Sequence, residues 1–261
     1  MFKKVENTSR EQVTSDCSYW VNEGKIYYDA DHIRGADFET FVYDGEFAKD
    51  KKYCYYGPIR LRDADVATFE VLNFAFAKDK QFVYTSGGKA GATRVKEADV
   101  ATFEVLDDGK VISWYLKNGD VEYVDEGYAK DKFNVYYQNG FSPKVVKNAD
   151  LDTFISLNDG MFGKDVNHVF AYGKILKKAN IATWHKIIDI AGVNYSKDDK
   201  RIFYLNREMK EADYDTFEVI YPNCPYSPHQ LAKDKNHFYK NDGIETLDGL
   251  KDWGVAEYFE T

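Results

Sequence analysis

Cysteine is scarce in this chain. Cys17, Cys54 and Cys224 are the only three in 261 residues, and they stand far apart with no CxxC pairing. Their odd number and spacing point to reduced thiols in a cytosolic protein rather than to a disulfide framework or a metal site. Long apolar runs are missing too: no stretch approaches the roughly eighteen consecutive apolar residues of a membrane helix. The opening "MFKKVENTSREQVTSDC" holds basic residues but no apolar signal-peptide core, so a cytoplasmic location is expected. Positive charge is in deficit, with 35 Lys and Arg against 44 Asp and Glu and a net charge of −9. Such a chain is poorly suited to phosphate backbones, so neither nucleic acid nor a membrane is an expected partner. The sequence contains no GxxxxGK[ST], HExxH or GxSxG. On that reading it is not an enzyme, and no cofactor and no metal are expected.

Aromatic residues are plentiful. They make up 16% of the chain, with 21 Tyr and 18 Phe, and hydrophobic residues reach 44%. That is enough for a globular core. Tyr and Phe suit half-buried pleated surfaces, which leans the reading toward β structure.

The aromatics fall in a phrase that recurs: "FAKDKKYCYYG" from Phe47, "FAKDKQFVYTSGG" from Phe76, "YAKDKFNVYYQNG" from Tyr128, "FGKDVNHVFAYG" from Phe162, "YSKDDKRIFYLN" from Tyr195 and "LAKDKNHFYKNDG" from Leu231. A second phrase alternates with it: "GADFETF" at 35–41, "DADVATFEVL" at 63–72, "EADVATFEVL" at 97–106, "NADLDTFISL" at 148–157, "KANIATWHKI" at 178–187 and "EADYDTFEVI" at 211–220. Self-similarity at a period of tens of residues signals a repeat architecture.

One repeat, residues 162–188, reads as a polar turn "KDVN", a strand "HVFA", a tight turn "YG" and a returning strand "KILKK". In the second phrase Asp65, Asp99, Asp150, Asp213 and Asn180 stand where a helix N-cap belongs. The Ala before each and the aromatic five positions after that Ala fit a hydrophobic staple. Phe41, Phe69, Phe103, Phe154, Trp184 and Phe217 are then the core anchors, with room for one or two helical turns. Each repeat, a hairpin of two or three strands plus a helical turn, is too small to bury its own apolar face and needs stacked neighbours. The aspartates of the first phrase (Asp50, Asp79, Asp131, Asp165, Asp198, Asp234) read as turn residues bonding the local backbone. The lysines beside them keep the turns wet and discourage edge-to-edge association.

These phrases resemble the bacterial DKNYY repeat family, on "KDKFNVYY" and "KDKNHFYK" above all, and the resemblance spans roughly residues 18–247. It implies no catalytic residues and no established activity. The chain departs from the pattern at "KDV" and "KDDK" and carries extra sequence between Leu106 and Tyr128.

The five histidines give no catalytic set. His168 and His237 stand where other repeats put Tyr53, Phe82 or Asn134, a packing or surface position. His32 and His185 fall at hairpin and helical-turn positions. His229 lies near Cys224, the pair a nucleophilic dyad needs, but without a Cys motif or an oxyanion loop. The D-x-N of the turns lacks the converging oxygens of a calcium loop, and its lysines repel a cation.

Departures from the repeat are where specificity is expected. The largest is 107–127, "DDGKVISWYLKNGDVEYVDEG", read either as one extra hairpin or as a partner-binding element. In the second reading Trp114, Tyr115 and Tyr123 are aromatic anchors, with Asp120, Glu122, Asp125 and Glu126 around them. The tail 242–261 carries six acids against Lys251 alone and reads as an acidic cap on the last repeat, with an acidic partner-binding surface as the compatible alternative.

The expected fold is mainly β with short helical turns. A lead at 1–17 precedes about seven repeats over 18–247 as one domain, closed by the cap at 248–261. An open curved stack is expected; the alternative is a closed β-propeller, whose blades need four strands. The expected function is a non-enzymatic protein-binding module, most concretely a soluble inhibitor or immunity protein against a bacterial toxin. Its partner would be a protein such as a basic toxin domain, since opposite charge steers encounter. The alternatives are an envelope or surface adhesion protein and an enzyme of unrecognised type. The oligomeric state is not legible.

Overall fold

The computed structural model describes residues 1–13, 18–86, 91–115, 121–188, 193–221 and 230–252. The chain divides into two compact units, one of residues 1–110 with 124–146 and one of residues 111–123 with 147–261. Both are mainly β. Among the described residues their strands form eight small antiparallel sheets, and none of these closes into a barrel. One sheet is the two-stranded hairpin of Val111–Tyr115 and Val121–Val124; the other seven follow the repeat.

The repeat around Asp79 shows how the sequence makes its sheet. Glu70–Val71, Phe76–Lys78, Val83–Ser86 and Ala92–Arg94 lie side by side as a meander. Ala77 faces Val71 on one side and Tyr84 on the other, and Thr85 faces Thr93. The expectation of two or three strands per repeat is therefore too low, because five of the seven repeat sheets have four strands. The missed strand is the short one after each anchor, only two residues long in most repeats, as at Glu70–Val71 or Ile155–Ser156. Two residues carry no period from which to read a strand.

The second phrase forms one turn. The Thr68 amide donates to the Asp65 carbonyl at 3.2 Å and to Asp65 Oδ1 at 3.0 Å, and the Thr68 hydroxyl donates to the same Oδ1 at 2.8 Å. Asp37–Thr40, Asp99–Thr102, Asp150–Thr153 and Asp213–Thr216 repeat the two bonds to the carboxylate. The N-cap reading of these aspartates holds, but the turn ends after one cycle. Among the described residues, longer helix occurs only at Leu247–Asp252, with a three-residue 3-10 helix at Arg10–Gln12. Two residues before five of the six caps the backbone turns left-handed, at Gly35, Asp63, Glu97, Asn148 and Lys178. Only Gly35 adopts that conformation without side-chain strain.

The anchors are inside. Phe41, Phe69, Phe103 and Phe154 are buried, Trp184 is nearly so, and Phe217 is partly covered. In the first unit Phe103 lies between Phe76 and Tyr136, with ring centroids 5.5 and 5.8 Å away. In the second, Phe217 stands between Tyr195 and Tyr239 at 5.5 and 5.6 Å. The lead contributes the Lys3–Lys4 strand, which pairs with Val42 and Tyr43. In the C-terminal helix Leu250 is fully buried.

Candidate functional site

The repeat aspartates come first, since they recur most. Asp131 is buried, and its Oδ1 accepts the amides of Phe133 and Asn134 at 2.7 and 2.8 Å. Its Oδ2 accepts the Asp99 amide and the Tyr136 hydroxyl, each at 2.8 Å. Asp50, Asp79 and Asp234 hold the same four donors. Asp165 and Asp198 have Phe170 and Phe203 where the tyrosine stands and keep the three amides. Burial opposes the charge of Asp131, but the amides and the phenol outweigh it and hold its carboxyl below the usual range. These groups are turn residues, as the sequence suggests, and also clasps that join the first phrase to the second.

The lysine after four of these aspartates closes the clasp from outside. Lys51, Lys80, Lys132 and Lys235 reach Asp37, Asp65, Asp99 and Asp213 at 2.6–2.7 Å. The threonine hydroxyls accept the amide one residue after the clasp, Thr102 from Lys132 and Thr216 from Lys235 at 3.1 Å. The residues that define the repeat are thus used in holding it together.

His168 and His237 sit three residues after their aspartates, with Nδ1 at 3.5 and 3.6 Å from the carboxylates. His32 and His185 are exposed. Cys54 is buried, and burial pushes its thiol up to about 12, a chemically quiet state. Cys17, Cys224 and His229 lie outside the described residues. Among the described residues, no group of three or more His, Cys, Asp or Glu is arranged to hold a metal ion.

The 107–127 segment forms the extra hairpin. The side chains of Trp114, Tyr115 and Glu122, and the whole of Asp120, lie outside the described residues. Tyr123 is half-buried. Asp125 and Glu126, read from sequence as part of a polar rim, are also half-buried and are bonded within the first unit. Tyr56 donates its hydroxyl to Asp125 Oδ2 at 2.6 Å, and Tyr137 donates to Glu126 Oε2 at 3.2 Å.

A third carboxyl joins them. Glu46 accepts the Tyr28 hydroxyl on its side chain, and the Tyr19 hydroxyl on its carbonyl at 2.7 Å. Tyr28, Tyr56 and Tyr137 hold one repeat position, facing Tyr19, Phe47 and Tyr128 across their hairpins. Burial pushes Glu46 up to about 7, and the charge of Asp125 adds to it. Burial and Asp125 do the same to Glu126, also to about 7. Burial raises Asp125 itself against the hydrogen bonds of Tyr56 and Ser86. Chemically this is a cluster that holds protons near neutrality, built from the bends of successive repeats.

Sequence reasoning missed the cluster, although a signal existed. Glu46 precedes its repeat phrase at the place where the other copies have Ala75, Gly127, Met161, Asn194 and Gln230. A single charged residue among uncharged ones marks a departure from the repeat. Asp44, Gly45, Asn73, Phe74, Asp108 and Lys110 are among the residues that line an open cleft of about 520 Å³.

The DKNYY family profile matches residues 19–160 and again 88–243, two overlapping spans that fit a repeated motif. No curated protein and no solved structure matches the chain significantly. The first span alone takes in more than half of the 261 residues, so the chain belongs to the DKNYY family.

Proposed function

We propose that the chain is a non-enzymatic protein-binding repeat module, most concretely a soluble inhibitor or immunity protein that neutralises a bacterial toxin. The observation that carries this reading is the division of labour within the repeat. The recurring Asp, Thr and Tyr side chains are engaged in the clasps, while departures from the repeat place large apolar groups on the surface. Phe133 is 62% exposed at a position where the other copies have Lys52, Gln81, Asn167, Lys200 and Asn236. Val166 is equally exposed where most copies have lysine. Exposed apolar residues in a polar surround are the material of interface anchors. The net charge of −9 favours a basic partner, because opposite charge accelerates encounter.

Purification of the tagged chain from its native host tests the proposal. The expected result is one protein retained in stoichiometric amount, whose toxic activity the chain suppresses when the two are mixed. Retention on cell-wall material without such a partner would favour the adhesion reading instead.

A further inference from the structure

We propose that Glu46, Asp125 and Glu126 form a proton-operated latch between repeats of the first unit, which holds the bends at Gly57 and Gly140 while Glu46 and Glu126 are protonated and loosens them when those protons leave. The bends are tied to the cluster through the backbone: the Gly57 amide donates to the Glu46 carbonyl at 2.8 Å and the Gly140 amide to the Asp125 carbonyl at 2.9 Å. Glu46 and Asp125, 79 positions apart in sequence, act directly on each other through charge.

The contrast with Asp131 decides how the cluster behaves. Asp131 has four donors on its two oxygens and stays ionised when buried. Glu46 has Tyr28, Glu126 has Tyr137, and Asp125 has Tyr56 and Ser86. The groups that act on the three carboxyls are Tyr28, Tyr56, Ser86 and Tyr137, with the Tyr19 hydroxyl on the Glu46 carbonyl. Among the described residues, no lysine, arginine or histidine acts on the three carboxyls. Gln138 is fully buried; its amide donates to the Ser86 carbonyl at 2.9 Å, and its Oε1 has no donor. Three carboxylates in that setting are under-solvated and repel one another, and protonation relieves both costs.

The direction follows from linkage. An acid whose folded-state value is raised contributes stability that is fully present below its ordinary range and is lost as pH rises through the folded value. For Glu46 and Glu126 that window runs from the usual glutamate range up to about 7.

Carboxyl-carbon NMR of the intact chain tests the latch without any variant: Glu46 and Glu126 are expected to titrate near neutrality. Hydrogen exchange then reads the bends. After correction for intrinsic base catalysis, protection of the Gly57 and Gly140 amides should fall about tenfold or more between pH 5.5 and 8.5. The Leu61 amide, bonded to the Cys54 carbonyl, serves as a pH-flat control. Glu46→Gln with Glu126→Gln should abolish the fall. Ordinary titration of both glutamates, flat protection in the native chain, or an undiminished fall in the double variant would each overturn the proposal. If the double variant does not fold, the titration and exchange of the native chain decide it.

Discussion

The Asp99 amide donates to the Asp131 carboxylate at 2.8 Å across 32 residues of sequence. This one bond ties the cap of a turn to the hairpin that follows it, and it carries over the inserted segment between them. The same oxygen also takes the Tyr136 hydroxyl, so hairpin, turn and aromatic strand meet at one buried charge.

Replacing that charge should therefore be costly. Asp131→Asn keeps one acceptor but turns an NH₂ toward the Asp99 amide, leaving a buried donor unpaired. A loss of about 3 kcal/mol is expected, since bonds to charged groups are worth about 1.5–3 kcal/mol and an orphaned buried donor about 1–3. Urea denaturation of Asp131→Asn beside Asp152→Asn measures it. Asp152 is exposed, and its variant should stay within about 0.5 kcal/mol of the native chain.

Acid should unfold the protein through the same clasps. Burial works against the Asp234 charge, but the Asp213 amide, the Tyr239 hydroxyl and the amides of Asn236 and His237 outweigh it and hold its carboxyl at about 2. Asp50, Asp79, Asp131 and Asp198 are likewise held low. A depressed acid contributes stability that is present above its unfolded value and lost as pH falls through the folded one. Stability should therefore drop steeply between about pH 4 and pH 2. With the opposite slope of Glu46 and Glu126 above it, the melting temperature should peak near about pH 5. A thermal melt series across pH 2–9 gives the curve, and a plateau unbroken from pH 3 to 8 would refute both slopes.

Core damage should be graded by position. Phe103→Ala empties a site lined by Phe76, Ala129 and Tyr136 and should cost about 3–5 kcal/mol. Hydrogen exchange should lose protection first in the strands Phe76–Lys78, Glu126–Lys130 and Val135–Asn139, because a repeat leans mainly on its neighbours. Equal loss throughout the first unit would show a more cooperative core.

Much of this fold is local, and what is local was legible. Asp65 and Thr68 sit three residues apart, so the cap could be read from spacing; Phe69 as an anchor followed from its place after the cap. The strand Glu70–Val71 was not legible, because its pairing with Ala77 and Lys78 is set by the loop between them and not by a pattern of its own. The second role of Asp131 was hidden for a related reason: the Asp99 amide lies 32 residues away and meets it only in the folded chain. Glu46 and Asp125 lie too far apart in sequence for spacing to join them, and only the stacking of repeats brings their charges together. Asp125 and Glu126 looked like an exposed rim because charged residues beside a Trp–Tyr pair usually are one.

The binding role is tested most directly by the affinity of the stoichiometric partner for Trp114→Ala and Tyr115→Ala, read beside a thermal melt of each. Each variant should fold with a native melting temperature and lose about 2 kcal/mol or more of affinity, as interface anchors do. Asp120→Lys with Glu122→Lys should mainly slow association, with an effect that shrinks in high salt. Unchanged affinity in all of these variants, together with a lowered melting temperature for Trp114→Ala, would contradict it and leave the inserted hairpin as scaffold.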